Sequence, residues 1–281
     1  MTTAFVLSGG VSLGAVQVGM LQALAERGIT PDLLVGTSVG AINAAFVADL
    51  PGTQGAQRLA KIWGSLRRND VFPLSARTAL RAALRRDHLV SAGPLRHLIA
   101  QTLTYHNLEQ AAIPLTVVAT EVTTGLEVAL TRGPAVDALM ASAAIPGIFG
   151  PVRVGERLLM DGGVTDHTPI SHAVRAGADV IYVLPTGYAC DLPEPPGDAV
   201  GMALHALALL TEQRLIRDVQ QYQDQVDLRV MPAPCPCSVA PTDFSRADEL
   251  IERARAAGVR SLDVPLSGDQ TQVLGLHRHH H

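Results

Sequence analysis

The stretch Leu33-Leu34-Val35-Gly36-Thr37-Ser38-Val39-Gly40-Ala41-Ile42-Asn43-Ala44 runs from a short β-like segment through a Gly-x-Ser-x-Gly pentapeptide into a helical pattern. In that context the serine sits on a sharp strand-to-helix turn, with its hydroxyl exposed at the edge of a sheet. Gly36 and Gly40 leave room for the tight backbone, and the helix N-terminus behind Ser38 favours negative charge that develops beside it. Ser38 is therefore the candidate nucleophile, with Gly36 and Gly40 as the elbow. A chance pentapeptide is the competing explanation, and the flanking strand and helix argue against it.

Upstream, Leu7-Ser8-Gly9-Gly10-Val11-Ser12-Leu13-Gly14 is a glycine-rich turn between the apolar run Ala4–Leu7 and a helical pattern over Gly14–Arg27, where Val16, Met20, Leu21 and Leu24 share a face. Glycines at 9, 10 and 14 fail the dinucleotide spacing G-x-G-x-x-G. Gly9 and Gly14 have P-loop spacing, but Ala15-Val16 replaces the lysine and hydroxyl residue, so an α/β nucleotide-binding protein is disfavoured. Beside a nucleophile elbow, the remaining use is an oxyanion hole built from backbone amides.

Strand-like and helical segments alternate along the chain. A helix is expected over Val39–Ala48, and strands over Leu33–Val35, Leu115–Ala119, Glu127–Leu130, Val180–Leu184 and Leu228–Val230. Val152–Val154 and Leu158–Met160 flank Gly155-Glu156 as a hairpin. Near-continuous apolar runs such as Val117-Val118 and Val180-Ile181 suit strands covered on both faces, so an α/β class with a mostly parallel sheet is expected. Asp191–Gly197 reads as a Pro-rich loop leading into a long helix over about 198–225.

With 281 residues, 47% hydrophobic and 17% charged, the chain builds a core rather than a disordered coil. A net charge of −4 and ten aromatics (five Phe, four Tyr, one Trp) argue against a nucleic-acid partner. Cys190, Cys235 and Cys237 read as reduced thiols rather than a disulfide framework or a zinc site. The first 25 residues carry no charge, and Ala23-Leu24-Ala25 imitates a signal cleavage site. No Lys or Arg precedes Arg27, however, and Ser8-Gly9-Gly10 interrupts the apolar run, so a signal peptide fits badly. No window approaches 18 consecutive apolar residues, and the expected location is the cytoplasm or the inner membrane surface. His277–His281 looks like a purification tag or tail and is set aside. His88, His97, His106, His172 and His205 show no paired-ligand spacing, and no metal or cofactor is assigned.

A serine nucleophile needs a base, and Asp161-Gly162-Gly163 places a carboxylate at a strand end. A carboxylate serves only where desolvation raises its basicity and donors stabilise the oxyanion. Taken alone, these residues favour an ordinary turn aspartate. Four segments in order nevertheless resemble the patatin-like phospholipases: the loop Ser8–Gly14 with Ala15–Leu21 behind it, the elbow Gly36–Ala44, Ala141–Phe149, and Asp161–Pro169. Ala119–Gly125 is a weaker match, and the resemblance spans about 4–185. It implies a three-layer α/β/α patatin-like fold and a Ser–Asp dyad without a catalytic histidine. By position, Ser38 is then the nucleophile, Asp161 the base, and the amides of Gly9, Gly10 and Val11 the oxyanion hole.

Nucleophile and base lie 123 residues apart and must meet in one core, so residues 1–276 read as one catalytic domain with a C-terminal helical part over about 198–260. Two positions depart from the family pattern. Val11 replaces the third glycine of G-G-G, and Leu13 replaces a basic residue. Amides donate whatever the side chain, so Val11 fits with a negative φ and is strained with a positive one. His167 stands where the family usually has Asn, which opens a Ser–His–Asp triad as a variant.

The implied function is hydrolysis of carboxylic esters of lipids through an acyl-enzyme on Ser38. The alternative, motivated by Val11 and Leu13, is a catalytically silent regulatory or binding protein on the same fold. Residues 67–96 carry a local charge of +5, with Ala79, Leu80, Ala83 and Leu84 between Arg77, Arg81, Arg85 and Arg86. That segment reads either as a basic amphipathic helix on an anionic membrane or as a solvated face. The expected partner is a lipid or ester substrate, and nothing in the sequence specifies an oligomeric state.

Overall fold

Aliphatic and β-branched runs form the strands of a computed structural model, which describes residues 1–73, 90–187, 199–235, 239–240, 242–264, 270 and 274. The strands are β1 (Thr3–Leu7), β2 (Leu33–Thr37), β3 (Leu115–Glu121), β4 (Glu127–Leu130), β5 (Val152–Val154), β6 (Arg157–Asp161), β7 (Val180–Leu184) and β8 (Asp227–Val230). They form one sheet in the order β5-β6-β3-β2-β1-β7-β8, with β4 also on β3. The neighbours from β3 to β8 are parallel, whereas β4, β5 and β6 are antiparallel.

Alternate strand residues face opposite layers. Phe5, Leu7, Leu34, Val117 and Tyr182 pack into one apolar cluster with the helices α1 (Gly14–Glu26), α2 (Val39–Asp49) and α3 (Gly52–Ser65) and with the helix Ala247–Leu262. Ala4, Val6, Val35, Val118 and Ile181 pack on the other face against the helices Ile170–Arg175 and Ala199–Tyr222. The class expected from the alternation is the one observed, a mixed α/β fold with helices on both faces of a mostly parallel sheet.

Several boundaries move. β2 continues to Thr37, so Ser38 is the first residue beyond the strand, and β6 extends through Asp161 instead of stopping at Met160. The one-sided face expected for the first helix is replaced by burial of nearly every residue from Gly14 to Leu24. The cause is the helix Ala247–Leu262, which covers the side of α1 turned away from the sheet. The arginine-rich stretch from Arg77 to Arg86, the Pro-rich 191–197, Cys190, Cys237 and His277–His281 lie outside the described residues. Among the described residues, no helix is long and apolar enough to cross a membrane.

The contact between α1 and the C-terminal helix is close because of Gly19. A β-carbon there would lie 2.1 Å from the Ile251 carbonyl oxygen and 2.7 Å from the Arg255 nitrogen. Backbone on both sides leaves no room for relaxation. Gly19→Val is therefore expected to lose ~1–3 kcal/mol and to lower the melting temperature by several degrees. An unchanged calorimetric melt would contradict this packing account.

Candidate active site

The site is assembled by an edge of β3 that two strands share end to end. β2 pairs with β3 from Leu115 to Val118, and β6 pairs with it from Ala119 to Glu121. β4 occupies residues 117–120 of the opposite edge, so β6 must take up the β2 side where β2 stops. The two strands run toward each other, and their last residues bring Ser38 and Asp161 together. Ser38 Oγ donates a 2.7 Å hydrogen bond to Asp161 Oδ2. Both side chains are buried, each 6% exposed.

Local strain holds the serine in place. Ser38 has φ 56° and ψ −126°, a conformation that a non-glycine residue keeps only when its surroundings enforce it. Its amide donates 2.8 Å to Ser142 Oγ, which in turn donates 2.5 Å to the Val118 carbonyl. The elbow glycines are needed for close approach. A β-carbon on Gly36 would lie 2.6 Å from Ala41 Cα, and one on Gly40 would lie 2.3 Å from the Leu7 carbonyl oxygen. The N-terminus of α2 thus presses against the end of β1, with its positive end behind Ser38.

Asp161 is held equally firmly. Its Oδ1 accepts 2.7 Å from the Gly163 amide, and its own carbonyl accepts 2.9 Å from Thr120 Oγ1. Burial pushes its carboxyl up to about 6, against the hydrogen bonds from Ser38 and Gly163 that favour the anion. The group is thus a stronger base than a solvated aspartate and is still ionised at neutral pH.

The glycine loop departs from the sequence expectation at Gly9 and resolves the alternative left open at Val11. The Gly9 amide is engaged with the His167 carbonyl at 3.1 Å, so it is not available as an oxyanion donor. The amides of Gly10 and Val11 have no hydrogen-bond partner among the described residues. Val11 has φ 54°, so this β-branched residue adopts the strained, positive-φ alternative where the family pattern has glycine. Leu13 packs against the apolar core instead of offering a charge.

Thr186 buttresses the loop. Its Oγ1 donates 2.6 Å to the Gly9 carbonyl, and its amide donates 3.1 Å to Ser8 Oγ. His167 lies beside Gly9 and Gly163, where burial lowers its imidazole to about 4, and the serine hydroxyl bonds directly to Asp161 without it. Thr186 and Ser142 were not singled out by sequence. Nor was the buried chain from the Trp63 indole to Asn43 to Gln17, which ends on the Ser8 and Leu184 carbonyls. Polar Gln17 and Asn43 inside otherwise apolar helical runs were the available signal.

An apolar cleft, partly open to solvent, reaches Ser38. Val11, Ile42, Phe46, Trp63, Phe72 and Phe149 line it, and Asp161 does not. The described residues that could hold a metal, Glu127, Asp166 and His172, form a separate cluster.

The profile of the patatin-like phospholipase family matches residues 5–174. Proteins of Mycobacterium tuberculosis and Mycobacterium bovis named as NTE family proteins are 33% identical over 181 residues, covering 63% of this chain and 47% of theirs. The chain thus spans about half the length of these curated relatives. A lysophospholipase of Aspergillus terreus is 28% identical over 203 residues, 69% of this chain and 12% of that protein. Among solved structures, human GIVD cytosolic phospholipase A2, in complex with methyl gamma-linolenyl fluorophosphonate, superimposes with a TM-score of 0.50 at 13% identity. That match covers 96% of this chain and 57% of the other. VipD from Legionella pneumophila also gives 0.50, at 15% identity, covering 93% and 66%.

The positive φ of Val11 inverts the usual ranking of small residues. Val11→Gly and Val11→Ala lose the same apolar contact, and only glycine relaxes in the left-handed region. Val11→Gly is expected to be the more stable by about 1 kcal/mol in urea unfolding, against the ordinary preference for alanine. A more stable Val11→Ala would contradict this conformation.

Proposed function

The chain belongs to the patatin-like phospholipase family, and from that premise we propose that it hydrolyses carboxylic ester bonds of lipids through an acyl-enzyme on Ser38, with Asp161 as the base. The observation that carries the proposal is the 2.7 Å bond to a buried Asp161 from Ser38 Oγ, whose residue lines an apolar cleft. As Oγ attacks the ester carbonyl carbon, Asp161 takes its proton and negative charge develops on the carbonyl oxygen. The free amides of Gly10 and Val11, helped by the N-terminus of α2, are the donors for that oxyanion.

When the tetrahedral intermediate collapses, the C–O bond to the alcohol breaks and Asp161 returns the proton to the departing oxygen. Water then attacks the acyl-enzyme, with Asp161 again accepting the proton. The fatty acid leaves and Ser38 is restored. The cleft lining suits an acyl chain, and lipid esters are the substrate class assigned here. Peripheral contact with an anionic membrane through 67–96 belongs to the same proposal, and stronger pelleting with anionic than with neutral vesicles would support it.

The test is labelling of the purified protein by a fluorophosphonate probe, together with hydrolysis of aryl esters of graded chain length. Ser38→Ala is expected to abolish both, and Asp161→Asn to lower kcat at least 10³-fold. Absence of Ser38-dependent labelling and hydrolysis would instead favour the silent regulatory protein suggested by Val11 and Leu13. Asp161 must be ionised to accept a proton, so kcat/KM is expected to rise with pH through about 6 and then level off. A midpoint near 4 or 8 would point to another base. Leu98 lines the cleft. Leu98→Trp is expected to cut kcat/KM for a dodecanoyl ester about tenfold or more while sparing the acetyl ester.

A further inference from the structure

A second group of convergent lone pairs lies behind the dyad. Glu127 opens β4, Asp166 follows the single turn Gly162–Val164, and His172 belongs to the helix Ile170–Arg175. One ligand atom from each lies within 4.8 Å of the other two. Asp166 is 2% exposed, and its Oδ1 is buried with no hydrogen-bond partner among the described residues. The Nε2 of His172 is buried without one as well, 3.4 Å from a Glu127 carboxylate oxygen.

Buried polar atoms are almost always paired, and an orphaned one costs about 1–3 kcal/mol. Two orphans facing the same acidic group suggest a missing positive centre. The neighbouring arginines supply it poorly. Arg214 stands 3.8 Å from Asp166 Oδ1, beyond hydrogen-bond range, and spends its donors on the Thr165 carbonyl and on Asp218 at 3.5 Å. Arg175 reaches Glu127 at 3.0 Å, and its charge acts on Asp166 and His172 without satisfying the buried Oδ1 or Nε2. Both arginine side chains are about half exposed, so each can swing aside.

We infer that Glu127, Asp166 and His172 form a zinc-class divalent cation site with water as the fourth ligand. One imidazole and two carboxylates match the mixed nitrogen and oxygen set that zinc accepts, whereas calcium and magnesium favour oxygen alone. Tetrahedral zinc at about 2.1 Å from its ligands sets them roughly 3.4 Å apart. His172 and Glu127 already stand 3.4 Å apart, so the contraction that zinc asks for is around Asp166, within a spread of 4.8 Å.

The three ligands come from a strand, a turn and a helix, so no spacing in the sequence announces them. Their position gives the cation a task. The Asp166 carbonyl accepts 2.8 Å from Thr37 Oγ1, and its amide donates 2.8 Å to the Gly162 carbonyl. A cation on Asp166 thus ties the turn after Asp161 to the strand that precedes Ser38 and to the helix behind it. The site is structural, and it stands whether or not the dyad hydrolyses lipids.

The test is calorimetric titration of the full chain with zinc chloride, comparing wild type, His172→Gln and Glu127→Gln. The histidine-rich end His277–His281 takes zinc on its own. All three proteins carry it, so the readout is the difference between them. Wild type is expected to bind one equivalent more than either variant. Saturating zinc is also expected to raise its melting temperature by about 3 °C or more beyond any shift in the variants. Glu127 is exposed, so Glu127→Gln keeps the comparison valid if His172→Gln fails to fold. Equal stoichiometry and equal thermal shifts would overturn the site, and an extra wild-type equivalent of calcium but not of zinc, in a parallel titration with calcium chloride, would overturn its metal class.

Discussion

One edge of one strand organises this molecule. β3 is too long for β2 to cover, because pairing with β2 stops at Val118 while β3 runs on to Glu121. The uncovered residues would leave backbone donors and acceptors without partners in a buried sheet, a cost that folds avoid. β6 fills the gap from the opposite direction, and the junction of the two strands is where Ser38 meets Asp161. Groups 123 residues apart are thus positioned by sheet hydrogen bonds rather than by a flexible loop. Ser142 reinforces the junction by bonding the Ser38 amide and the Val118 carbonyl together.

The junction is maintained against several local preferences. Ser38 and Val11 are the two non-glycine residues with positive φ among the described residues, and both border the cleft. Asp161 adds an electrostatic cost. Its carboxyl keeps its proton up to about 6 in the folded chain, against about 4 in an unfolded one. Stability from this group is full at low pH and is lost as pH rises through about 6, of the order of 3 kcal/mol at most. Burial of α1 between the sheet and the C-terminal helix supplies a rigid frame for these features.

Much of this was legible in the sequence because it is local. The elbow Gly36–Gly40 states its strand, turn and helix in consecutive residues, and β4, β5 and β7 fall where their runs end. Order along the chain also carried the family resemblance, which the match over residues 5–174 bears out. What escaped depends on contacts between distant segments. The all-round burial of α1 requires a helix more than 200 residues away, and the engagement of the Gly9 amide requires the carbonyl of His167. The need for glycine at position 10 is likewise set by Thr186, whose hydroxyl would sit 2.2 Å from a β-carbon there while it bonds the Gly9 carbonyl.

On the proposed reading, the geometry also gives the ester a direction. The departing alcohol must receive its proton from Asp161, so that oxygen has to lie on the carboxylate side of Ser38. Asp161 does not line the apolar cleft, whereas Ser38, Val39 and Ile42 at the start of α2 do. The acyl chain then occupies the cleft, and the alcohol lies on the side of Asp161. Phe46, Trp63 and Phe72 surround the chain with carbon that gains nothing from a charged group. An ester bound the other way would bury its polar end among aromatic rings and leave the departing oxygen out of reach of its proton donor. Selection for an apolar acyl group is thus a consequence of the side from which the base arrives.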